Sequence, residues 1–320
     1  MKKMINRTVV EGYLYDSNLE ERTYKETAKR PGAKYIMGTV DIATDDAMTN
    51  VVSVHFSFVS EPLPEDKAVM KQRYETLANI MNGTIKSVMK DGQENAAKLQ
   101  ISSAIGVNEF YTDRNGSEEL VSAKRNEGGF IRAQSPLNAN EKERSTFDTD
   151  MIIIGARRIE ADEERDLPEK VVISGYIFDF RNTIMPVEFT VLSPGAMNYF
   201  ENLEPKKNNP VFTRVKGEQV STVVKRKIVE ESAFGEDRVR EVTNSRKDWV
   251  VTWAQKEEYD FGDESIITPE EVNKALADRE VMLSDLKNRF HNRGNAIAET
   301  PAATAPAKKY NIKATSEFNF

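Results

Sequence analysis

One pattern occurs twice in this chain. Residues 9–16 form a β-rich run with Gly12 inside it, and a polar stretch carrying Glu20, Glu21 and Arg22 comes next. A second run spans 35–42 around Gly38, and a third spans 51–60 after Asp45 and Asp46. From Met151 the order returns in shorter form: 152–158 with Gly155, the charged Glu163, Glu164 and Arg165, then 171–179 with Gly175, then 185–193. A single glycine within a strand marks a bulge or sharp coil, the device by which a sheet closes on itself. Both copies must fit one architecture, so the repeat constrains the fold more than any one element does.

The segment after the third strand extends the repeat. In the first copy, residues 64–82 read as a helix, with Met70, Tyr74, Leu77 and Met81 on one face and Asn82-Gly83 as its stop. In the second, residues 194–204 form a shorter helix. Strands then resume over 97–112 and 119–134, joined by the turn Asp113-Arg114-Asn115-Gly116, and over 210–231 and 239–256. Three strands, a helix and two strands is the order of the OB fold. The expected class is therefore mainly β: two tandem OB-fold, five-stranded Greek-key barrels, each with a helix between strands three and four. After them, Thr268, Pro269 and Glu271 form a capping box for a C-terminal helix with Val272, Leu276, Leu283, Leu286 and Phe290 as its apolar positions. Residues 296–307, rich in Ala and Pro, read as a disordered linker to an aromatic tip. The expected division is 1–147, first barrel; 148–262, second barrel; 263–293, helix; 294–320, tail.

Length and charge narrow the function classes. The 320 residues suffice for two cores. No apolar run approaches the ~18–20 residues that span a bilayer, and the start of the chain lacks the apolar stretch of a signal peptide, so a cytoplasmic protein is expected. With no cysteine, disulfides and thiolate-ligated zinc drop out. A net charge of −7 argues against a protein coated by nucleic acid over its whole surface, but leaves room for a local basic groove. The two histidines, His55 and His291, make no metal cluster, and no phosphate-binding loop or nucleophile elbow appears. Acidic groups at Asp45-Asp46, Asp148 with Asp150, and Asp162-Glu163-Glu164 read as solvated turns rather than Mg²⁺ ligands. No enzyme activity, cofactor or metal is expected.

Val10-Glu11-Gly12-Tyr13-Leu14, the segment 101–110 ending in Gly106-Val107-Asn108-Glu109-Phe110, and the segment 120–131 with Lys124-Arg125-Asn126-Glu127-Gly128-Gly129 resemble single-stranded DNA-binding proteins of tailed phages of Gram-positive bacteria. The resemblance covers the first copy well and the second through the repeat. It implies binding of single-stranded DNA with little sequence preference during phage DNA replication or recombination, in the host cytoplasm. It also implies a partner-binding tip at Glu317, Phe318 and Phe320, although Lys308, Lys309 and Lys313 depart from the acidic run that precedes such tips. Replication or recombination proteins are the partners implied for that tip, and a homo-oligomer is compatible with the sequence.

Binding single strands needs cations for phosphates and ring faces for bases. The candidates in the first copy are Tyr35, Phe56, Phe58, Phe110, Tyr111 and Phe130, with Arg73, Lys124, Arg125 and Arg132. Strict alternation puts Phe56 and Phe58 together on one face of their strand, either filling the core or stacking on bases. Lys124 and Arg125, beside a Gly-Gly bulge, suit a phosphate, or else a solvated turn. In the second copy the candidates are Lys216, Lys225 and Lys227 with Trp249 and Trp253, the two tryptophans sharing a face with Val251 as core or platform. The competing reading is an OB-fold structural or adaptor protein that binds other proteins in a virion or replication complex, which the acidic balance favours.

Overall fold

The computed structural model describes residues 4–296 except 115, 163–166, 231–233, 235–237, 257 and 261–266, and for 222–230, 238–246 and 293–296 it describes the backbone alone. The tip residues Glu317, Phe318 and Phe320 therefore lie outside the described residues, as do the side chains of Lys225 and Lys227.

The first half runs β1 (Asn6–Thr23), β2 (Lys34–Ala43), β3 (Val51–Ser60), α1 (Ala68–Met81), a one-turn α2 (Val88–Asp91), β4 (Lys98–Arg114) and β5 (Ser117–Ala133). The second runs β6 (Ser145–Ile159), β7 (Lys170–Phe178), β8 (Ile184–Val191), α3 (Pro194–Asn202), β9 (Val211–Glu230) and β10 (Arg238–Ala254), before α4 (Pro269–Ala296). The protein is mainly β, and all ten strands join one sheet. Helix α4 opens as its capping box requires: Thr268 N donates to Glu271 Oε2 at 3.1 Å, and Glu271 N donates back to Thr268 Oγ1 at 3.3 Å.

Within each half the pairings return to their starting strand. β1 pairs with β2, β2 with β3, β3 with β5 in parallel, β5 with β4, and β4 with β1. The same circuit joins β6, β7, β8, β10 and β9, again with one parallel step, Val250 opposite Thr190. Such closure demands local coiling. Gly38, at φ +134°, sits where the β2–β3 register shifts, and a Cβ there would lie 1.9 Å from Asn18 O. In the second half a register shift falls at Gly155, between β6 and β7.

Each circuit encloses its own apolar core. Leu14, Ile36, Ile42, Phe56 and Ile101 fill the first, closed from one side by Leu77 and Ile80 of α1. The face its spacing suggests turns inward in part: Leu77 and Tyr74 pack on the core, while Met70 stays 43% exposed. Phe147, Met151, Phe189, Phe200 and Val215 fill the second. At ~1.5–3 kcal/mol for each large apolar side chain, these clusters are the main source of stability.

The halves are joined rather than strung. β1 is paired with β6 along Asn6–Thr149 to Val10–Ser145, so β6 begins ahead of the expected boundary at 147 and belongs to the seam. Asn6 spans it: its Nδ2 donates to Ile105 O and Phe178 O at 3.0 Å, and its Oδ1 accepts from Ile105 N at 2.8 Å. Buried Asn126 and Gln219 exchange two side-chain hydrogen bonds, at 2.7 and 3.1 Å. Helix α4 returns from the end of the second half to the β4–β5 arm of the first, where Arg279 pairs with Glu109, and Lys287 and His291 both meet Glu118. Among the described residues, no helix is long and apolar enough to cross a membrane.

Candidate nucleic-acid interface

Strand β3 begins as a plain alternation, with Val52, Val54 and Phe56 buried. It does not continue so. Phe58 has φ +50°, a left-handed conformation that costs a bulky residue on the order of 1–3 kcal/mol. That twist shifts the pattern by one residue: Val59 takes the inward position, and the Phe58 ring is left 57% exposed. Phe56 and Phe58 thus do not share a face. Phe56 belongs wholly to the core, beyond the reach of any base.

The exposed ring is not alone. Phe58 lies 5.1 Å from Tyr35 and 6.4 Å from Tyr24, nearly parallel to the latter at 17°, and the two tyrosines are 4.5 Å apart. Tyr24 is held by a 2.8 Å hydrogen bond between its hydroxyl and Ser60 Oγ. Tyr35 is buried beneath, so it supports the cluster rather than presenting a face. The β1–β2 turn just after Tyr24 carries exposed Lys25 and Lys29. Tyr24 is not legible as a site residue in the sequence because it falls in a charged stretch without strand periodicity. Only its position as the first residue after an unexpectedly long β1 brings it here.

A second set lies on the outward face of β5, β4 and β1. Ser102 pairs with both Phe130 and Val9, and Gln100 with both Arg132 and Glu11. Arg7, Val9, Gln100, Ser102, Phe130 and Arg132 line a groove of about 550 Å³. Phe130 is 47% exposed. The Arg73 guanidinium, from α1, lies 5.9 Å from its centroid and 5.7 Å from that of Phe56, and burial holds its pKa below the usual arginine value. The Gly-Gly bulge stands as expected: Gly128 and Gly129 have φ of +67° and +116° where the β4–β5 register shifts, and a Cβ on Gly129 would meet Ser102 O at 2.3 Å.

The basic pair beside that bulge is placed otherwise than for a phosphate. Lys124 points into the second half, its ammonium 4.7 Å from the Phe189 centroid and 5.8 Å from that of Trp249. Burial there pulls its pKa down to about 8, against the pull of Glu188 and Asp248. Arg125 is paired with Glu127 at 2.5 Å. Tyr111, expected at a strand end, is covered by α4, 6.3 Å from Phe290 and under the Lys287 ammonium at 5.9 Å, while Phe110 beside it is 44% exposed.

The tryptophans also part company. Trp249 packs with Val251 on the second core, 5.5 Å from Phe147. A register shift between Val251 and Trp253 then breaks the alternation, and Trp253 emerges 46% exposed. Lys216, its cross-strand partner, holds its ammonium 5.0 Å from that ring. The face expected to carry both tryptophans carries one, because a bulge moves every later side chain across the sheet.

The chemistry available is that of a binding surface: exposed rings, two of them near a cation, Phe130 by Arg73 and Trp253 by Lys216. Comparison with solved structures finds a likeness to a deletion mutant of the single-stranded DNA binding protein from Thermus aquaticus, at 10% identity and a TM-score of 0.45, over 82% of this chain and 100% of that one. No curated protein matches the sequence. The YorF family profile matches residues 4–289, nearly all of the described chain, and the chain belongs to the YorF family.

Proposed function

We propose that the protein binds single-stranded DNA with little sequence preference, through two OB folds in tandem, and acts as a binding protein rather than an enzyme. The strand circuits support the fold assignment: five strands each, the helix between strands three and four, and strand three parallel to strand five. The observation that carries the functional reading is the Phe58 cluster. A phenylalanine held 57% exposed in a left-handed conformation, against two tyrosines, spends stability on a surface ring. Flat rings with exposed lysines in the adjoining turn suit bases that have no pairing partner, each stack contributing about 1–3 kcal/mol. The phage setting, replication or recombination in a host cytoplasm, rests on the sequence resemblance and enters as part of the proposal.

The test is a titration with a dT oligomer, read by intrinsic tyrosine and tryptophan fluorescence at several salt concentrations, with duplex DNA of equal length as control. Salt-sensitive quenching by the single strand alone, weakened in Phe58→Ala, is the expected result. No response to any nucleic acid at low salt would overturn the reading in favour of a protein-binding adaptor.

A further inference from the structure

The outward faces of the two halves form one surface. Register places Phe130, Ser102, Val9, Thr146 and Glu218 in one row across β5, β4, β1, β6 and β9. The adjacent row runs from Arg7 through Asp148 and Lys216 to Trp253 on β10. Residues directly opposite in such ladders share a face of the sheet. The β1–β6 pairing therefore carries a single uninterrupted face from the Phe130 groove to the Trp253 ring. At ~4.8 Å per strand, the five steps span about 24 Å.

We infer that this face is a path for the single strand between the two halves, with Phe130 and Trp253 as stacking platforms at its ends. The inference rests on the function proposed above and extends it to a surface away from the Phe58 cluster. The length suits the occupant, since about seven nucleotides stacked at ~3.4 Å cover 24 Å. So does the charge. Arg7 and Arg132 on the groove have no ion-pair partner among the described residues. Four carboxylates also stand on the face, of which Asp150 is buried and accepts from Ile5 N and the Tyr259 hydroxyl. Asp148 is clamped by Arg214 through bonds of 2.7 and 2.6 Å, with Lys216 at 3.8 Å, and Glu11 is buried and accepts from Gln100 at 2.8 Å. Glu218 alone of the four is neither clamped nor buried, against two cations at the groove and the Lys216 ammonium over Trp253. A phosphate chain passing Arg132, Arg7 and Lys216 would set bases over Phe130 at one end and Trp253 at the other.

The experiment is photocrosslinking of the full chain to a dT oligomer of about 32 nucleotides, an upper site size for two such folds, carrying 5-bromodeoxyuridine at varied positions. Adducts are mapped by mass spectrometry, alongside titration of Phe130→Ala and Trp253→Ala. Expected are adducts at both Phe130 and Trp253, and an affinity loss of about tenfold for each substitution. The unfolding midpoints should stay within about 2 °C of the parent, as both rings are half exposed. Tight binding with adducts confined to Tyr24 and Phe58 would overturn this path while leaving the proposed function standing. No binding would overturn both. Because the crosslinks are read on the unmodified chain, they decide the path even if either variant misfolds.

Discussion

Lys124 offers the sharpest separation of folding from function. Its ammonium is buried between the halves over Phe189 and Trp249, and its pKa is lowered from 10.5 to about 8 by that burial. Below pH 8 the side chain is protonated in both folded and unfolded states, and the folded state bears the cost of the buried charge. At 1.36 kcal/mol per unit, the difference amounts to about 3 kcal/mol. Lys124 keeps some exposed surface, so solvent screening reduces this to about 1–2 kcal/mol. Between pH 8 and 10.5 the folded chain releases the proton first, and stability climbs. Above 10.5 the penalty is gone. Lys124→Met fills the same space without charge, so it should stabilise the protein by about 1–2 kcal/mol at pH 7, with the gap closing by about pH 10.5. Urea unfolding of both proteins from pH 6 to 11 measures this directly. The same variant should leave the salt dependence of single-strand binding unchanged, whereas loss of a phosphate contact would lower its slope by about 0.7. A pH-independent gap, or a lowered slope, would refute the placement of Lys124 as an internal cation.

Phe58→Gly relieves the left-handed backbone and Phe58→Ala does not, so the glycine variant should be more stable than the alanine one by about 1 kcal/mol in thermal unfolding, while both lose about tenfold in dT affinity. Asn126→Ala leaves Gln219 buried without its partner, and urea denaturation should show a loss of about 1–3 kcal/mol. Arg279→Ala strands Glu109, whose side chain is only 6% exposed, at a cost of about 3 kcal/mol. Hydrogen exchange should then report faster opening of α4 and of the β4–β5 arm, with the first core unaffected.

Much of the fold is legible in the order of elements. The twofold run of three strands, helix and two strands appears in the structure with its helices at Ala68–Met81 and Pro194–Asn202, because periodicity and turn chemistry are local properties of the chain. The capping box at Thr268 and the Gly128-Gly129 bulge are equally local, and both stand. The candidate site is less legible. Residue types point to rings and cations, and Phe58, Phe130, Lys216 and Trp253 do lie at the surface. Which ring faces out depends on two irregularities that no alternation rule contains, the left-handed residue at Phe58 and the register shift before Trp253. Lys124 suits a phosphate until the second half lies against it, and Tyr24 and Arg7 become candidates only through strands distant in sequence. Local sequence sets periodicity, caps and turns. The side a residue faces, and what covers it, is a property of the closed sheet and of the β1–β6 seam, where packing outweighs propensity.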